Sequence, residues 1–357
     1  MTKTSDATHV VGAGVAGVVA AALLLKQGKD VVLVDAKGHA GGHLSREDRQ
    51  GFRLGAGFSF GDGQAFRAVA DRLGLSLEMR PIENGGALQH SPRGWTPAGD
   101  LPAWEGWYAR ECREFPTGGY AGFLGAVMEF CESHSGFRFV PSSPVTGIQI
   151  DSGRISRVGL GASVDVEPEA LYWAGPYRPL LELLQGPGAP EAGPGRVAFL
   201  KKFVKTDFQP AVALEFAHGH GVAEFTETLL LPFQAAEREE RRYLAGCFSS
   251  NRDPSLAPSG KQLSSWILPL TEAEWGDNHE TMKKIRAARR LLEKAFTGFE
   301  GHILFDRVVV HDVSVWPLQK KKGDWHPVLP NFSLVSEWAS PYGSTPEGAI
   351  QLLLEKF

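Results

Sequence analysis

The first 35 residues constrain the fold more than any other part of the chain. Thr8 to Val11 is an apolar run suited to a buried strand, and Gly12, Gly14 and Gly17 follow at G-x-G-x-x-G spacing. The segment "VVAAALLLKQ" then predicts a helix that stops at Gly28, and "DVVLVD" predicts a second strand that ends in Asp35. Together these parts form a complete βαβ dinucleotide-binding unit. Gly12 permits the tight turn, Gly14 lets the backbone approach a pyrophosphate, and Gly17 lets the helix pack closely; Ala13, Val15 and Ala16 complete the loop at the positive end of the helix. Asp35, followed by Ala36, is placed to accept hydrogen bonds from ribose hydroxyls. Its carboxylate disfavours a phosphate on that ribose.

Composition narrows the remaining classes. At 357 residues the chain is long enough for two domains, or for one large α/β body with an inserted layer. The net charge of −4 arises from mixed signs, and the runs Glu237 to Arg242 and Lys320 to Lys322 read as solvated faces, so no nucleic acid partner is expected. Cys112, Cys131 and Cys247 are odd in number and far apart, which points to a reducing, cytoplasmic compartment. His218 and His220 lack an evident third ligand, so no metal site is expected. The apolar run Val10 to Leu25 is too short for a membrane span and contains the turn glycines, while the preceding flank lacks a basic signal-peptide region. No transmembrane segment is expected.

After Asp35 comes "AKGHAGGHLS", and here the sequence resembles the superfamily of FAD-dependent amine oxidases, phytoene desaturases and protoporphyrinogen oxidases. In that family a further glycine pair, usually followed by Arg, wraps the FAD pyrophosphate. Gly41 and Gly42 match, while His43 stands in the place of Arg and offers one hydrogen bond instead of a fixed charged fork. The segment "GFRLGAGFSFGD", which contains Gly57, resembles the stretch that passes beside the flavin; Gly55 falls where the family often carries an acid. The run from Pro116 to Asp151 resembles the return to the nucleotide domain, with Val145 at the position whose backbone lies near the adenine. A β-meander and a buried strand ending at Ala174 and Gly175 follow in the family's order. Near the C-terminus, Phe332 to Val335 reads as a strand, with Ser336 and Glu337 in place of the family's Gly-Asp. A helix beginning near Thr345 would then aim the free N–H groups of Gly348 and Ala349 at the flavin, where they would stabilise negative charge.

The fold class implied by the resemblance is α/β: a Rossmann-like FAD-binding domain of the GR2 flavoprotein type with an inserted α+β substrate domain built on an antiparallel sheet. The expected divisions are 1–72, 116–186 and 316–357 for FAD binding, and 73–115 and 187–315 for substrate. In the substrate part "VAFLKKFV", "AVALEFAHG", "AEFTETLLLPF" and "YLAGCFSS" read as strands, and residues 272–296 as one amphipathic helix. Alternation leaves Lys202 alone among Ala198, Leu200 and Val204. Relatives often hold a water near flavin N5 with a lysine, so Lys202, or its neighbour Lys201, is the catalytic candidate, with a lysine snorkelling from the sheet edge as the plainer reading. Trp338 and Tyr342 fall where the family places aromatic groups near the flavin ring. Further tryptophans gather at Trp95, Trp104 and Trp107 and at Trp316 and Trp325, which suggests an apolar or aromatic small-molecule substrate.

The implied activity is an FAD-dependent oxidoreductase that moves a hydride from a C–H or C–N bond to flavin N5, with oxygen, a quinone or another electron acceptor. No second G-x-G-x-x-G is present to build an NAD(P)H domain. The alternative is a redox-inactive flavin-fold protein acting as a binding or scaffold partner, suggested by the departures at His43, Gly55 and Ser336.

Overall fold

A computed structural model describes residues 7–55, 63–99, 112–162, 164–185, 210–233, 242–311, 329–340, 342 and 345–357. One layer is a five-stranded parallel sheet in the order Phe332–Leu334, Ala170–Trp173, Thr8–Val11, Val31–Val34 and Phe137–Val140. Thr8–Val11 and Val31–Val34 are buried along their whole length, as parallel strands covered on both faces must be. The order of connection reverses at Thr8–Val11, and at such a reversal a crevice opens beyond the carboxyl ends of the strands.

The helix that leaves the glycine turn spans Val15–Lys26 and is buried from Val15 to Leu25. It starts one turn earlier than the apolar run predicts, because Gly14 is the capping residue and Val15 to Gly17 join the first turn. A helix that is apolar all round must be covered all round. Helices Gly119–Glu132 and Pro346–Lys356 pack against it. The expected meander is present as Val145–Asp151, Arg154–Leu160 and Val164–Val166, paired antiparallel.

The second large sheet has seven strands in the order Ile303–His311, Ala211–His218, Gln262–Pro269, Arg242–Cys247, Thr228–Phe233, Ala87–Ser91 and Gly94–Pro97. It is not antiparallel throughout: Ala87–Ser91 runs parallel to Thr228–Phe233. That hairpin enters from much earlier in the chain, so no tight turn dictates its direction. Thr228 is also a later start than the sequence suggests for this strand, and the "YLAGCFSS" strand ends at Cys247 before a short helix, Ser249–Arg252.

The single helix expected over residues 272–296 is two helices, Glu272–Trp275 and Asn278–Ala295. Asp277 breaks them, because it takes an extended conformation and its carboxylate accepts the N–H groups of His279 and Glu280, capping the second helix. That helix buries Ile285, Ala288 and Leu292 against the sheet residues Phe216 and Trp266. The opposite face of the sheet, through Ala217, Leu263 and Phe305, receives Phe52 and Leu54 of the hairpin Glu47–Leu54. Among the described residues no helix is long and apolar enough to cross a membrane.

Candidate functional site

The three glycines of the turn answer to different demands. Gly12 has φ +99°, and a Cβ there would sit 2.8 Å from the Gly175 nitrogen; a Cβ on Gly17 would lie 1.7 Å from the Gly12 carbonyl oxygen. The protein's own packing therefore requires both. Gly14 has φ −74° and ψ −175°, open to any residue, and a Cβ there would meet nothing within 4 Å. Internal packing gives no reason for a glycine at that point. The space in front of it is what a side chain would fill.

The second glycine pair closes over this space. Gly41 N–H donates to the Ala13 carbonyl at 2.8 Å, and a Cβ on Gly42 would come within 3.1 Å of Gly14 Cα. Both residues have positive φ, +126° and +56°, so the doubled-back path needs glycine twice. Beneath the cradle, helix Val15–Lys26 has no acidic residue in its first turn, so no side chain of its own offsets its positive end. Backbone donors, room and positive potential fit a pyrophosphate. His43 lies in the 3-10 turn Gly42–Leu44, but its side chain is outside the described atoms.

Asp35 locks the turn. One carboxylate oxygen accepts Ala13 N–H at 2.6 Å and the other accepts Lys37 N–H at 2.7 Å, bracketing Ala36. Each oxygen retains a second lone pair for a ribose hydroxyl. The Asp35 carbonyl accepts Ser143 N–H at 2.8 Å, which brings Val145, at the start of the meander, alongside. The sequence motifs from Gly12 to Gly17, Asp35, Gly41–Gly42 and Val145 thus gather at one end of the parallel sheet.

The region expected to face a flavin ring differs from that expectation. Ser336 does not crowd the crevice: its hydroxyl turns inward, 3.0 Å from the Trp173 carbonyl and 2.9 Å from that of Gly175. Trp338 is a core residue that packs with Trp173 and Leu180, and its indole N–H donates to the Gly175 carbonyl at 2.9 Å. An indole needs an acceptor when buried, and this one finds it inside the protein. Tyr342 is coupled to the C-terminal helix, where the Glu355 carboxylate pushes its phenol up to about 12. The N–H groups of Gly348 and Ala349 are not free, because Thr345 caps them with its hydroxyl and its carbonyl. Gly57, Lys201, Lys202, Trp104, Trp107, Trp316 and Trp325 lie outside the described residues.

Glu337 begins the 3-10 turn Glu337–Ala339, and burial, with the Glu347 carboxylate second, pushes it up to about 7. Glu347 accepts a short hydrogen bond from Tyr120, a phenol that burial and Glu347 hold well above its ordinary range. A carboxyl group that changes charge near neutrality therefore sits at the end of strand Phe332–Leu334.

Three residues that the sequence motifs do not single out, Glu215, Arg307 and Asp253, join the seven-stranded layer to segments that follow the glycine pair or precede helix Gly119–Glu132. Glu215, 2% exposed, accepts Gly55 N–H at 2.7 Å and pairs with Arg307 at 2.9 Å. Burial raises its pKa against the opposing pull of Gly55 N–H and Arg307. Asp253, fully buried, accepts Gly118 N–H at 2.6 Å and lies 3.7 Å from Arg80. A lone charge inside an apolar strand, as in "AVALEFAHG", is the signal that marks Glu215. His218, on the same strand, lies 2.9 Å from the Ser264 hydroxyl, while its Nδ1 makes no hydrogen bond; burial and His302 push it down to about 4. Among the described residues no three His, Cys, Asp or Glu side chains converge as a metal site.

Residues 10–73 match the family described as an NAD(P)-binding Rossmann-like domain. Over the whole chain, the fold is shared with solved oxidoreductase structures of low sequence identity. An oxidoreductase from Methanosarcina mazei superimposes with a TM-score of 0.76 at 15% identity, covering 98% of this chain and 99% of that one. Putrescine oxidase bound to putrescine gives 0.67 at 11% identity, covering 99% and 98%. Reduced UDP-galactopyranose mutase gives 0.62 at 12% identity, covering 87% and 83%. No curated protein matches the sequence.

Proposed function

We propose that this chain is an FAD-dependent oxidoreductase acting on a small-molecule substrate. The observation that carries the reading is Gly14, a glycine that neither its backbone angles nor its neighbours require, set in a cradle closed by Gly41 and Gly42. The turn Gly12–Gly17 and Gly41–Gly42 would hold the pyrophosphate, Asp35 a ribose, the Val145 backbone the adenine, and Glu337 the ribityl side. When bound, FAD supplies an acceptor for a hydride from a substrate C–H or C–N bond. The chain's own part is to bind, orient and exclude water, with Glu337 able to hold or release a proton near neutral pH. The strands of the seven-stranded sheet form the substrate side on this reading, and an apolar or aromatic substrate suits the tryptophan content. Cys112, Cys131 and Cys247 are buried and form no disulfide, which supports a cytoplasmic setting.

The second reading is a flavin-fold protein that binds without redox turnover. It draws on the inward-facing Trp338 and the capped N–H groups of Gly348 and Ala349. One experiment separates the two: purify the protein without added cofactor, record its visible spectrum, and identify any released nucleotide. Flavin bands that bleach anaerobically with a substrate support the oxidoreductase. Bound flavin that no substrate in a broad amine and alicyclic screen reduces favours the second reading, and a colourless protein that takes up no FAD overturns the first.

A further inference from the structure

We propose that Glu215 and Arg307 are positioning residues that fix the Ser45–Gly55 segment and, through it, the cofactor; the inference rests on the FAD reading above. The two are cross-strand neighbours on Ala211–His218 and Ile303–His311. Arg307 spends its three nitrogens on three groups: Nη1 on Glu215 at 2.9 Å, Nη2 on the Ser45 carbonyl at 3.4 Å, and Nε on Glu47 at 3.4 Å. Glu215 uses its other oxygen on Gly55 N–H. The hairpin Glu47–Leu54 is therefore gripped at both ends, just after the glycine pair and within the stretch that the sequence places beside the flavin.

Packing alone does not account for this pair. Phe52 and Leu54 already bury themselves against Ala217, Leu263 and Phe305, and Arg49 lies 4.4 Å over the Phe305 ring. Apolar contact of that kind seats the hairpin but is non-directional, whereas a planar guanidinium with each nitrogen on a separate acceptor fixes orientation. A buried ion pair is also a poor way to add stability, since desolvation offsets most of the attraction. Its return is geometric. Gly55 shows why the carboxylate comes from a distant strand: a Cβ there would lie 2.3 Å from the Ser45 oxygen and 2.9 Å from Arg307, leaving no room for an acid at that position. Glu215 delivers a carboxylate to the same spot. With its nitrogens committed to protein groups, Arg307 acts by holding the segment, not by neutralising a phosphate.

The test uses cofactor-free full-length protein, Glu215→Gln and Arg307→Lys. FAD affinity is read by quenching of flavin fluorescence, mobility by amide hydrogen exchange over residues 45–55, and folding by thermal melting. Glu215→Gln keeps the acceptor for Gly55 but loses the charge; Arg307→Lys keeps the charge but loses the fork. The expected result is an FAD dissociation constant raised about tenfold or more in both variants, with faster exchange at 45–55. A merely structural role would lower the melting temperature and leave the affinity of the folded protein unchanged, and that outcome overturns the proposal. Should the wild type take up no FAD, the oxidoreductase reading falls, and exchange alone judges the clamp: unchanged protection at 45–55 in the variants overturns it.

Discussion

The cradle and the clamp beside it are held over different distances along the chain. Gly12, Gly14, Gly17 and Asp35 lie within one βαβ unit, and the bond that locks it, from Ala13 N–H to Asp35, spans 22 residues. The hairpin Glu47–Leu54 is gripped by partners 160 and 262 residues away. The first arrangement follows from local turn geometry. The second exists only once two sheets have met, which makes it the part of the site most exposed to changes elsewhere.

The comparison breaks most severely at Gly17. Gly17→Val drives a side chain into the Gly12 carbonyl, so the loss of stability exceeds about 3 kcal/mol. Chemical denaturation checks this, and a stable variant would mean that the turn is looser than described. On the other side of the comparison, Asp253→Ala leaves Gly118 N–H and Ser255 N–H without their acceptor and costs about 2 kcal/mol. Urea titration reads that loss, and a cost below about 0.5 kcal/mol would show that the sheets dock without this contact.

A smaller effect comes from pH. Glu337 is raised from an ordinary 4.5 to about 7, so the folded state favours the neutral acid; the stability this gives is full at low pH and fades as pH rises from 4.5 through about 7. Glu215 has the same sign. Glu337→Gln flattens the decline in melting temperature between pH 5 and pH 8. His218 works in the opposite sense: lowered from 6.5 to about 4, it stabilises as the neutral ring, and that stability is lost as pH falls from 6.5 through about 4. His218→Gln flattens the acid side. Identical pH profiles for variant and wild type would remove these groups from the account.

The smallest change in stability is expected at Gly14. Gly14→Ala meets no atom within 4 Å, so the melting temperature of the cofactor-free protein stays near that of the wild type, while FAD affinity falls at least about tenfold. Unchanged affinity would empty the cradle of meaning. Paired with Gly17→Val, this substitution separates a glycine kept for the fold from a glycine kept for a ligand.

What the sequence revealed follows the same division. The βαβ unit, the second glycine pair, the meander and the C-terminal strand and helix were legible because each is set by short-range pattern: apolar runs of fixed period, positive-φ glycines, and Thr345 with Pro346 at a helix start. The break at Asp277 was readable in principle, since aspartate directly before a helical run is a capping signal, but the long amphipathic pattern masked it. The parallel pairing of Ala87–Ser91, the inward turn of Ser336 and the core position of Trp338 depend on which segments meet in space, and no local periodicity encodes that. The Gly55 position shows the difficulty most directly. Seen in sequence it had lost an acid; in the fold the acid arrives from Glu215.

The parallel sheet has one more consequence, in time. Its edge strand, Phe332–Leu334, is made after every described strand of the seven-stranded sheet, the last of which ends at His311. The Gln27 side chain even waits for the carbonyl of Phe357, 330 residues later. Contacts of such separation close slowly. A growing chain therefore holds every described strand of the seven-stranded sheet before the parallel sheet receives its last one, so the parallel sheet is the later of the two to be completed.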